Sequence, residues 1–392
     1  MNDLVFVVPG FGGSQLGRTL PVVGTRIVWV AYDALAVGGP RLLTLGSDGT
    51  GGGPGAVLDL TAQGLYPGVY DPLIQRLDKL GLEVWTFGYD WRRSIADLAP
   101  LFGQAVNQLL ADNPGRNLHV VAHSMGGLIA RLAYGYVDQP KRSQWVSSIY
   151  LGTPHGGSYE AARAILGDGA FFQLANKWNG LRNAIVGTLL SQQLADVIVT
   201  WPSLREMVPS ATASWASLDP MAGQLVKEGT YKARAVPTQA QWDAAVAVQQ
   251  GLESQLTGLH PATQIDMVGD SLPTVTEVHA ISLDNEGPSR ITWAIRPEGD
   301  GVVPRNRATL PGTQPVVFLG VQHHQLPASG VVLDRLADVL SPPPAGPNKG
   351  PFRGILPDVP PAAVPTPIRS EEQGFLVMED IRPGSIPRRG DP

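Results

Sequence analysis

The first apolar positions form a short unbroken run, Leu4-Val5-Phe6-Val7-Val8, halted by Pro9-Gly10. A run this short, with no polar alternate, predicts a strand buried on both faces. The pattern then changes to helical spacing. Leu73, Leu77 and Leu80 stand four and three apart, and residues 97–111 carry Leu98, Leu101, Phe102, Val106 and Leu109 on a second stripe, stopped by Asn113-Pro114-Gly115. Val84-Trp85-Thr86-Phe87 lies between them as a strand. Leu118-His119-Val120-Val121-Ala122 follows as another, then a helix at 128–136 and a strand at 146–151. Strand alternating with helix predicts an α/β fold built on a mainly parallel sheet with helices on both faces.

The alternation stops from about 155 to 260. Inside that stretch Leu181, Ile185, Leu189, Leu194, Val197 and Trp201 fall on roughly one helical stripe, read as a helix packed on the core ahead of a membrane-facing lid. Alternation resumes with strands at 263–268, 290–295 and 316–319 and a closing helix at 329–340. Residues 22–60 are loosely patterned and hold the glycine-rich stretch from Gly46 to Gly55, a flexible loop by composition. Residues 341–392 contain 13 prolines and one apolar island, Phe375-Leu376-Val377-Met378, and read as an extended tail. The expected organisation is one domain over 1–340, with 22–60 as a lid-like loop and 155–260 as a cap, followed by the tail. No repeat of fixed period is present.

Composition narrows the chemistry. Of 392 residues, 43% are apolar, enough for a large core, and 29 basic against 34 acidic residues leave a net charge of −5. That balance argues against a nucleic-acid partner. There is no cysteine, so disulfides, thiolate metal sites and cysteine nucleophiles are all excluded. No run of about 18 apolar residues occurs, and Met1-Asn2-Asp3 passes straight into the first strand without a basic leader. The expected location is cytoplasmic, with export by a route that needs no signal peptide left open.

The sharpest chemical signal is Ala122-His123-Ser124-Met125-Gly126-Gly127, set between an apolar strand and an apolar helix. A nucleophile elbow needs that setting: the strand ends, the chain turns sharply, and small residues two before and two after the serine let strand and helix approach. Ala122 and Gly126 hold those positions. The helix behind Ser124 supplies backbone N–H groups for an oxyanion. Pro9-Gly10-Phe11-Gly12-Gly13-Ser14 follows the first strand. A dinucleotide fingerprint starting at Gly10 fails, because its third glycine is Gln15. An oxyanion loop fits better, with Phe11 N–H and Met125 N–H as the two donors. A serine needs a base, and the base an orienting acid, in the chain order Ser, acid, His. Asp300 sits in a glycine-flanked turn, Glu298-Gly299-Asp300-Gly301, and Asp266 is a weaker rival within an apolar run. His323 and His324 lie between the last strand and last helix, and spacing alone does not choose between them. His123 and His155 lie near the elbow and a glycine turn, where supporting roles are open. His119, His260 and His279 read as surface or satisfied core residues. No cluster has metal-ligand spacing, and a triad needs neither metal nor cofactor.

Together these residues resemble the lecithin:cholesterol acyltransferase-like branch of the α/β-hydrolases, which includes lysosomal phospholipase A and bacterial relatives. Pro9-Gly10-Phe11-Gly12-Gly13-Ser14-Gln15-Leu16 is similar to the family's opening loop, Tyr66-Pro67-Gly68-Val69-Tyr70 to its approach to the second strand, and Tyr89-Asp90-Trp91-Arg92 to its most specific motif. Gly152-Thr153-Pro154-His155-Gly156-Gly157-Ser158, the cap motif from Pro202 to Pro209, and Gly299-Asp300-Gly301-Val302-Val303-Pro304 complete the likeness over about residues 4–340. The resemblance implies a Ser124, Asp300, His323 triad, since Gly320-Val321-Gln322 looks like the family's lead-in to the histidine, with His324 as alternative. It implies substrate contacts at Gly10, Gly12, Tyr89, Asp90 and Trp91. It also implies a serine esterase or lipase, phospholipase-like, acting on lipid acyl esters, with an O-acyltransferase as alternative and a non-catalytic binding module as second alternative. Transient contact with a membrane surface, and a protein partner through the tail, complete the expectations. The cysteines that pin the lid in secreted animal relatives are missing here, and the proline-rich tail has no counterpart.

Overall fold

The computed structural model describes residues 2–20, 24–29, 40–51, 53, 55–165, 193–194, 196–209, 238–255, 261, 263–284, 287–340, 353–355 and 368–369. Its elements run in chain order as strand β1 (Leu4–Val8), β2 (Ser14–Leu20), β3 (Gly24–Trp29), β4 (Thr61–Leu65), helix α1 (Pro67–Lys79), β5 (Glu83–Phe87), α2 (Ile95–Asp112), β6 (Leu118–His123), α3 (Met125–Ala133), β7 (Trp145–Leu151), α4 (Tyr159–Ile165), α5 (Pro202–Glu206), α6 (Gln239–Ser254), β8 (Thr263–Asp270), β9 (Thr274–Asp284), β10 (Gly287–Arg296), β11 (Val316–Leu319), α7 (Gly330–Leu340), β12 (Arg353–Ile355) and β13 (Ile368–Arg369).

The central sheet has the order β11-β8-β7-β6-β1-β5, with β12 and β13 continuing past β5. Every pair among the first six is parallel. Helices cover both faces, as the apolar runs require: all five residues of β1 are buried. The two faces build separate cores. Phe6, Phe87, Phe102 and Trp145 pack on the α2 and α3 side. Val5, Val7, Val121 and Leu151 pack with Leu73, Leu77 and Leu336 from α1 and α7. Fully burying each such side chain contributes about 1.5–3 kcal/mol. The fold is that of an α/β-hydrolase.

The sheet order reverses at β1. From there the chain goes first to β5 on one side and then to β6 on the other. Loops after neighbouring strands diverge at such a point and leave a crevice at their carboxyl ends. The residues beyond β1, Gly10 and Phe11, and the residue beyond β6, Ser124, flank that crevice.

Three elements depart from the expectations. Residues 24–29 form β3 within an antiparallel β3-β2-β4 sheet, inside the stretch read as loop. Their sequence, Gly-Thr-Arg-Ile-Val-Trp, carries three exposed polar or small residues before the apolar ones, so no period of two stands out. The strand expected at 290–295 does not join the main sheet. It lies in β10, which pairs antiparallel with β9 as a two-stranded ribbon inserted after β8. The tail contributes β12, parallel to β5. Of the helical stripe at 181–201, Leu181, Ile185 and Leu189 lie outside the described residues, as do residues 30–39 of the lid-like loop, much of the cap, and the island at 375–378. Leu194, Val197, Ile198 and Trp201 are buried in the core, as a packed helix face requires. Among the described residues no helix is long and apolar enough to cross a membrane.

Candidate active site

Ser124 joins β6 to α3 with φ 53° and ψ −126°, a backbone conformation costly for a residue with a Cβ. Two interactions enforce it. Ser124 N–H donates to Leu151 O at 2.9 Å, tying the turn to β7. Behind it, α3 packs so closely on β1 that a Cβ on Gly126 would overlap the carbonyl oxygens of Val8 and Pro9. The elbow therefore rests on glycine two residues after the serine, the position its motif assigns.

His323 opens a short 3-10 turn at His323–Gln325, after β11. Its Nε2 lies 2.8 Å from Ser124 Oγ, and its Nδ1 lies 2.6 Å from Asp300 Oδ2. A carboxylate only accepts, so Nδ1 carries the proton and the neutral Nε2 accepts from the serine hydroxyl. Asp300 is fixed in turn: its Oδ1 accepts the N–H groups of Val302 and Val303 at 3.0 and 2.7 Å, and its carbonyl accepts His323 N–H at 3.0 Å. All three groups are nearly buried, and Ser124 keeps 8% of its surface accessible. His324, the alternative, is exposed and makes neither bond.

Asp300 reaches this place by a detour. Its loop follows the β9–β10 ribbon in sequence, but in space it closes on the end of β8. Leu272 N–H donates to Gly299 O, and a Cβ on Gly269 would lie 2.7 Å from that of Asp300. The rival acid Asp266 is fully buried elsewhere. It accepts from His155 Nε2 at 3.0 Å, from Leu310 N–H at 2.9 Å and from Thr313 Oγ1 at 2.6 Å. Arg131 completes that array at 3.3 Å from His155 Nδ1, and the imidazole, pushed down to about 4 chiefly by burial, is held neutral between them.

The loop after β1 runs directly over the elbow. A Cβ on Gly10 would come within 2.8 Å of Ser124 Cβ. Gly12 has φ 72°, and its carbonyl accepts from Trp29 Nε1 at 2.8 Å. Phe11 is half-buried and stacks edge-on against Trp91, with Trp201 at 5.8 Å between ring centroids. Met125 stands at the first position of α3, whose leading N–H groups have no acceptor within the helix.

Tyr89, Asp90 and Trp91 are placed beneath this loop, each at most 1% exposed. Tyr89 O–H donates to Pro9 O, Tyr89 N–H to Ser14 Oγ, and Trp91 Nε1 to Ser14 O. Asp90 forms a two-pronged pair with the fully buried Arg92, at 2.8 and 2.6 Å. Arg92 Nη1 then reaches Leu43 O, the same carbonyl that accepts from Trp201 Nε1. Ser203 of α5 donates to Trp91 O at 2.7 Å. The motif thus clamps the loop after β1, the 40–45 segment and the cap segment together. That role is visible only in three dimensions, because its partners are backbone carbonyls, which have no sequence signature.

Tyr70 and Glu206 lie in motifs the sequence singled out, but no individual role was assigned to either. Tyr70 sits under the loop, accepting Gly10 N–H at 2.8 Å. Glu206 of α5 accepts from Ser94 Oγ and Ile95 N–H, both at 2.6 Å, and so caps α2 from the cap segment. The motifs mark the segments, but a single polar letter in a helix does not reveal its bonding partner. Among the described residues no group of acidic or histidine side chains is arranged to hold a metal ion.

Residues 58–225 match the family model of lecithin:cholesterol acyltransferase, a span that holds Ser124 and the Tyr-Asp-Trp-Arg motif and ends before Asp300 and His323. No curated protein sequence matches. Among solved structures, a Bacillus licheniformis lipase in mature form is 13% identical with TM-score 0.38, covering 86% of this chain and 92% of that one. The product of a Listeria innocua gene is 12% identical with TM-score 0.31 over 86% and 93%. A peroxisomal alpha-beta-hydrolase of Saccharomyces cerevisiae is 14% identical with TM-score 0.31 over 87% and 77%. Those similarities are too low to carry an assignment, and the matched span is under half of the chain. Sheet order and the turn at Ser124 give an α/β-hydrolase fold, whose residues 58–225 are similar to lecithin:cholesterol acyltransferase.

Proposed function

We propose that the protein is a serine hydrolase of lipid acyl esters, with Ser124 as nucleophile, His323 as general base and Asp300 as the acid that orients it. The observation that supports this reading is the unbroken path Ser124 Oγ, His323 Nε2, His323 Nδ1, Asp300 Oδ2 at 2.8 and 2.6 Å. His323 takes the hydroxyl proton as Ser124 attacks the ester carbonyl, and returns it to the leaving alcohol. Asp300 keeps the ring in the tautomer that accepts from serine and stabilises the imidazolium that forms. In this scheme the N–H groups of Phe11 and Met125 serve as the oxyanion donors; one such donor is typically worth about 3 kcal/mol of barrier. Water then attacks the acyl-enzyme by the same steps in reverse. Gly10 and Gly12 let the loop backbone approach the reacting carbon. Tyr89, Asp90 and Trp91 hold that loop in place and set the wall beside Phe11 rather than touching substrate themselves. No cofactor or metal enters the scheme.

The lipid ester is proposed from the family match and from half-buried Phe11 in the loop after β1, which is backed by the buried rings of Trp91 and Trp201. Transfer of the acyl group to an alcohol shares the first half of the reaction. A panel of p-nitrophenyl esters and phospholipids, run with and without a competing alcohol, separates the two. Free fatty acid as main product in both conditions supports hydrolysis, and ester product that dominates once alcohol is present supports transfer. Parent protein no more active than Ser124→Ala on every ester overturns both.

A further inference from the structure

One buried network near the serine has no part in the proton path. Gly10 N–H donates to the Tyr70 oxygen at 2.8 Å, and Tyr70 lies 2.8 Å from His123 Nδ1. His123 Nε2 lies 3.0 Å from the backbone carbonyl of His323. The directions of these bonds follow from what each group can do. A carbonyl only accepts, so His123 Nε2 carries the proton and donates to it. His123 Nδ1 is then the acceptor, and Tyr70 O–H donates to it, leaving the tyrosine oxygen free to accept from Gly10. Each donor has an acceptor and no group is left over. Burial pushes the His123 imidazole well below its ordinary range, with His323 a second cause acting the same way, so the ring stays neutral and the arrangement keeps its direction. Burial also pushes the Tyr70 phenol up, beyond deprotonation in ordinary buffers.

The two ends of this network are functional loops. Gly10 precedes Phe11 in the loop after β1. The far end is the backbone of His323 itself. The middle residue, His123, is the neighbour of Ser124 in the elbow. Nothing else described in the crevice links these three loops by side-chain hydrogen bonds in a single line. Both side chains are deeply buried and packed ring to ring, Tyr70 on His123 at 5.9 Å and His123 on His323 at 5.0 Å between centroids.

We propose that Tyr70 and His123 are positioning residues that fix the distance between the oxyanion loop and the general base. This rests on the reaction proposed above. In the ester-cleaving step, proton transfer to His323 and stabilisation of the oxyanion by the Phe11 loop occur in one transition state, so the two loops must be held at one separation. Removing the network leaves the nucleophile, base and acid in place but loosens that separation, which lowers the rate of the chemical step more than ground-state binding.

The test measures kcat and KM on a p-nitrophenyl ester, with the concentration of competent sites titrated by a fluorophosphonate. Tyr70→Phe keeps the ring and removes the hydroxyl. His123→Leu removes both bonds, and His123→Gln restores an N–H donor toward the His323 carbonyl. The expected result is a fall in kcat per titrated site of tenfold or more for Tyr70→Phe and His123→Leu, with KM within twofold of the parent, and His123→Gln recovering at least threefold over His123→Leu. Unchanged kcat per site in Tyr70→Phe overturns the proposal, as does a loss confined to KM or a glutamine no better than leucine. If His123→Leu does not fold, Tyr70→Phe decides on the same thresholds. A parent that cleaves no ester overturns the reaction itself, an outcome distinct from an active parent whose variants match it.

Discussion

The imidazole of His323 stands 2.8 Å from Ser124 Oγ although 199 residues separate them in the chain. Two strand ends, β6 and the β11 side of β8, bring them together, and backbone bonds to Leu151, Asp300 and Asp270 hold the loops there. If that contact is the proton path, replacing Ser124 with alanine lowers kcat on an ester substrate by at least about 10⁴-fold. The fold stays unchanged by circular dichroism, since the hydroxyl makes no other bond in the site. A residual rate within tenfold of the parent contradicts this.

The two buried aspartates near the site divide cleanly. Asp300→Asn puts a donor against His323 Nδ1 and favours the wrong tautomer, so kcat falls by about 10³–10⁴-fold with little change in KM. Asp266→Asn faces His155 instead. Its effect falls on thermal stability, with kcat within about threefold of the parent. Parallel kinetics of the two variants, followed alongside melting, check the division; equal losses of kcat contradict it.

The motif and the site were legible in the sequence to unequal degrees. β1 carries no polar residue, and β6 and β7 carry few, because both faces are buried, so their place in a parallel sheet could be read directly. Ser124 was legible because an elbow demands small residues at fixed offsets. Asp300 was found by its glycine-flanked turn, although the strand before it belongs to the β9–β10 ribbon, which the sequence did not separate from the sheet. Spacing alone left His323 and His324 open and the resemblance favoured His323; the ring that meets Ser124 and Asp300 is that of His323, because the 3-10 turn points adjacent residues different ways. Tyr70, Tyr89 and Glu206 stood in motifs the sequence singled out, but the hydrogen bonds they make were not legible. Their partners are backbone groups brought close by the fold, and backbone leaves no mark in the letters.

Asp90 and Arg92 form a pair buried on all sides. Removing one partner strands the other charge away from water. Asp90→Ala is expected to destabilise the protein by about 3–5 kcal/mol, and to loosen the loop after β1 that sits on Tyr89 and Trp91. Chemical denaturation measures the first effect. A loss under 1 kcal/mol contradicts the structural role given to the pair.

Glu206 gives stability a definite pH slope. Burial pushes its carboxyl up to about 7 from the ordinary 4.5, against the pull of Ser94, Ile95 and Arg205 and with Asp97 adding to the rise. The folded chain then holds the proton more tightly than the unfolded chain. Its contribution is complete below about 4.5 and is lost as the pH climbs to 7, an interval equivalent to roughly 3 kcal/mol. In Glu206→Gln the amide copies the protonated acid, donating to Ser94 Oγ and accepting from Ile95 N–H. The parent's thermal midpoint should therefore fall relative to this variant between pH 5 and 8. Parallel pH curves contradict the assignment.

His155 acts in the opposite direction. Its pKa is pushed down to about 4, chiefly by burial. The stability tied to the neutral ring is present above 6.5 and is lost as the pH falls toward 4. His155→Gln keeps a donor for Asp266 and removes the titration, so it should lose less stability than the parent between pH 6.5 and 4. A variant with the same acid-side loss contradicts this.

The central claim is that Ser124 is a nucleophile activated by His323. A fluorophosphonate reacts covalently with an activated serine and reports that state without regard to the natural substrate. Incubation of the folded parent with the probe, followed by peptide mapping, is predicted to place one adduct on Ser124, with labelling abolished in Ser124→Ala and strongly slowed when His323 is replaced by alanine. A folded parent that takes up no label, or takes it elsewhere, contradicts the account.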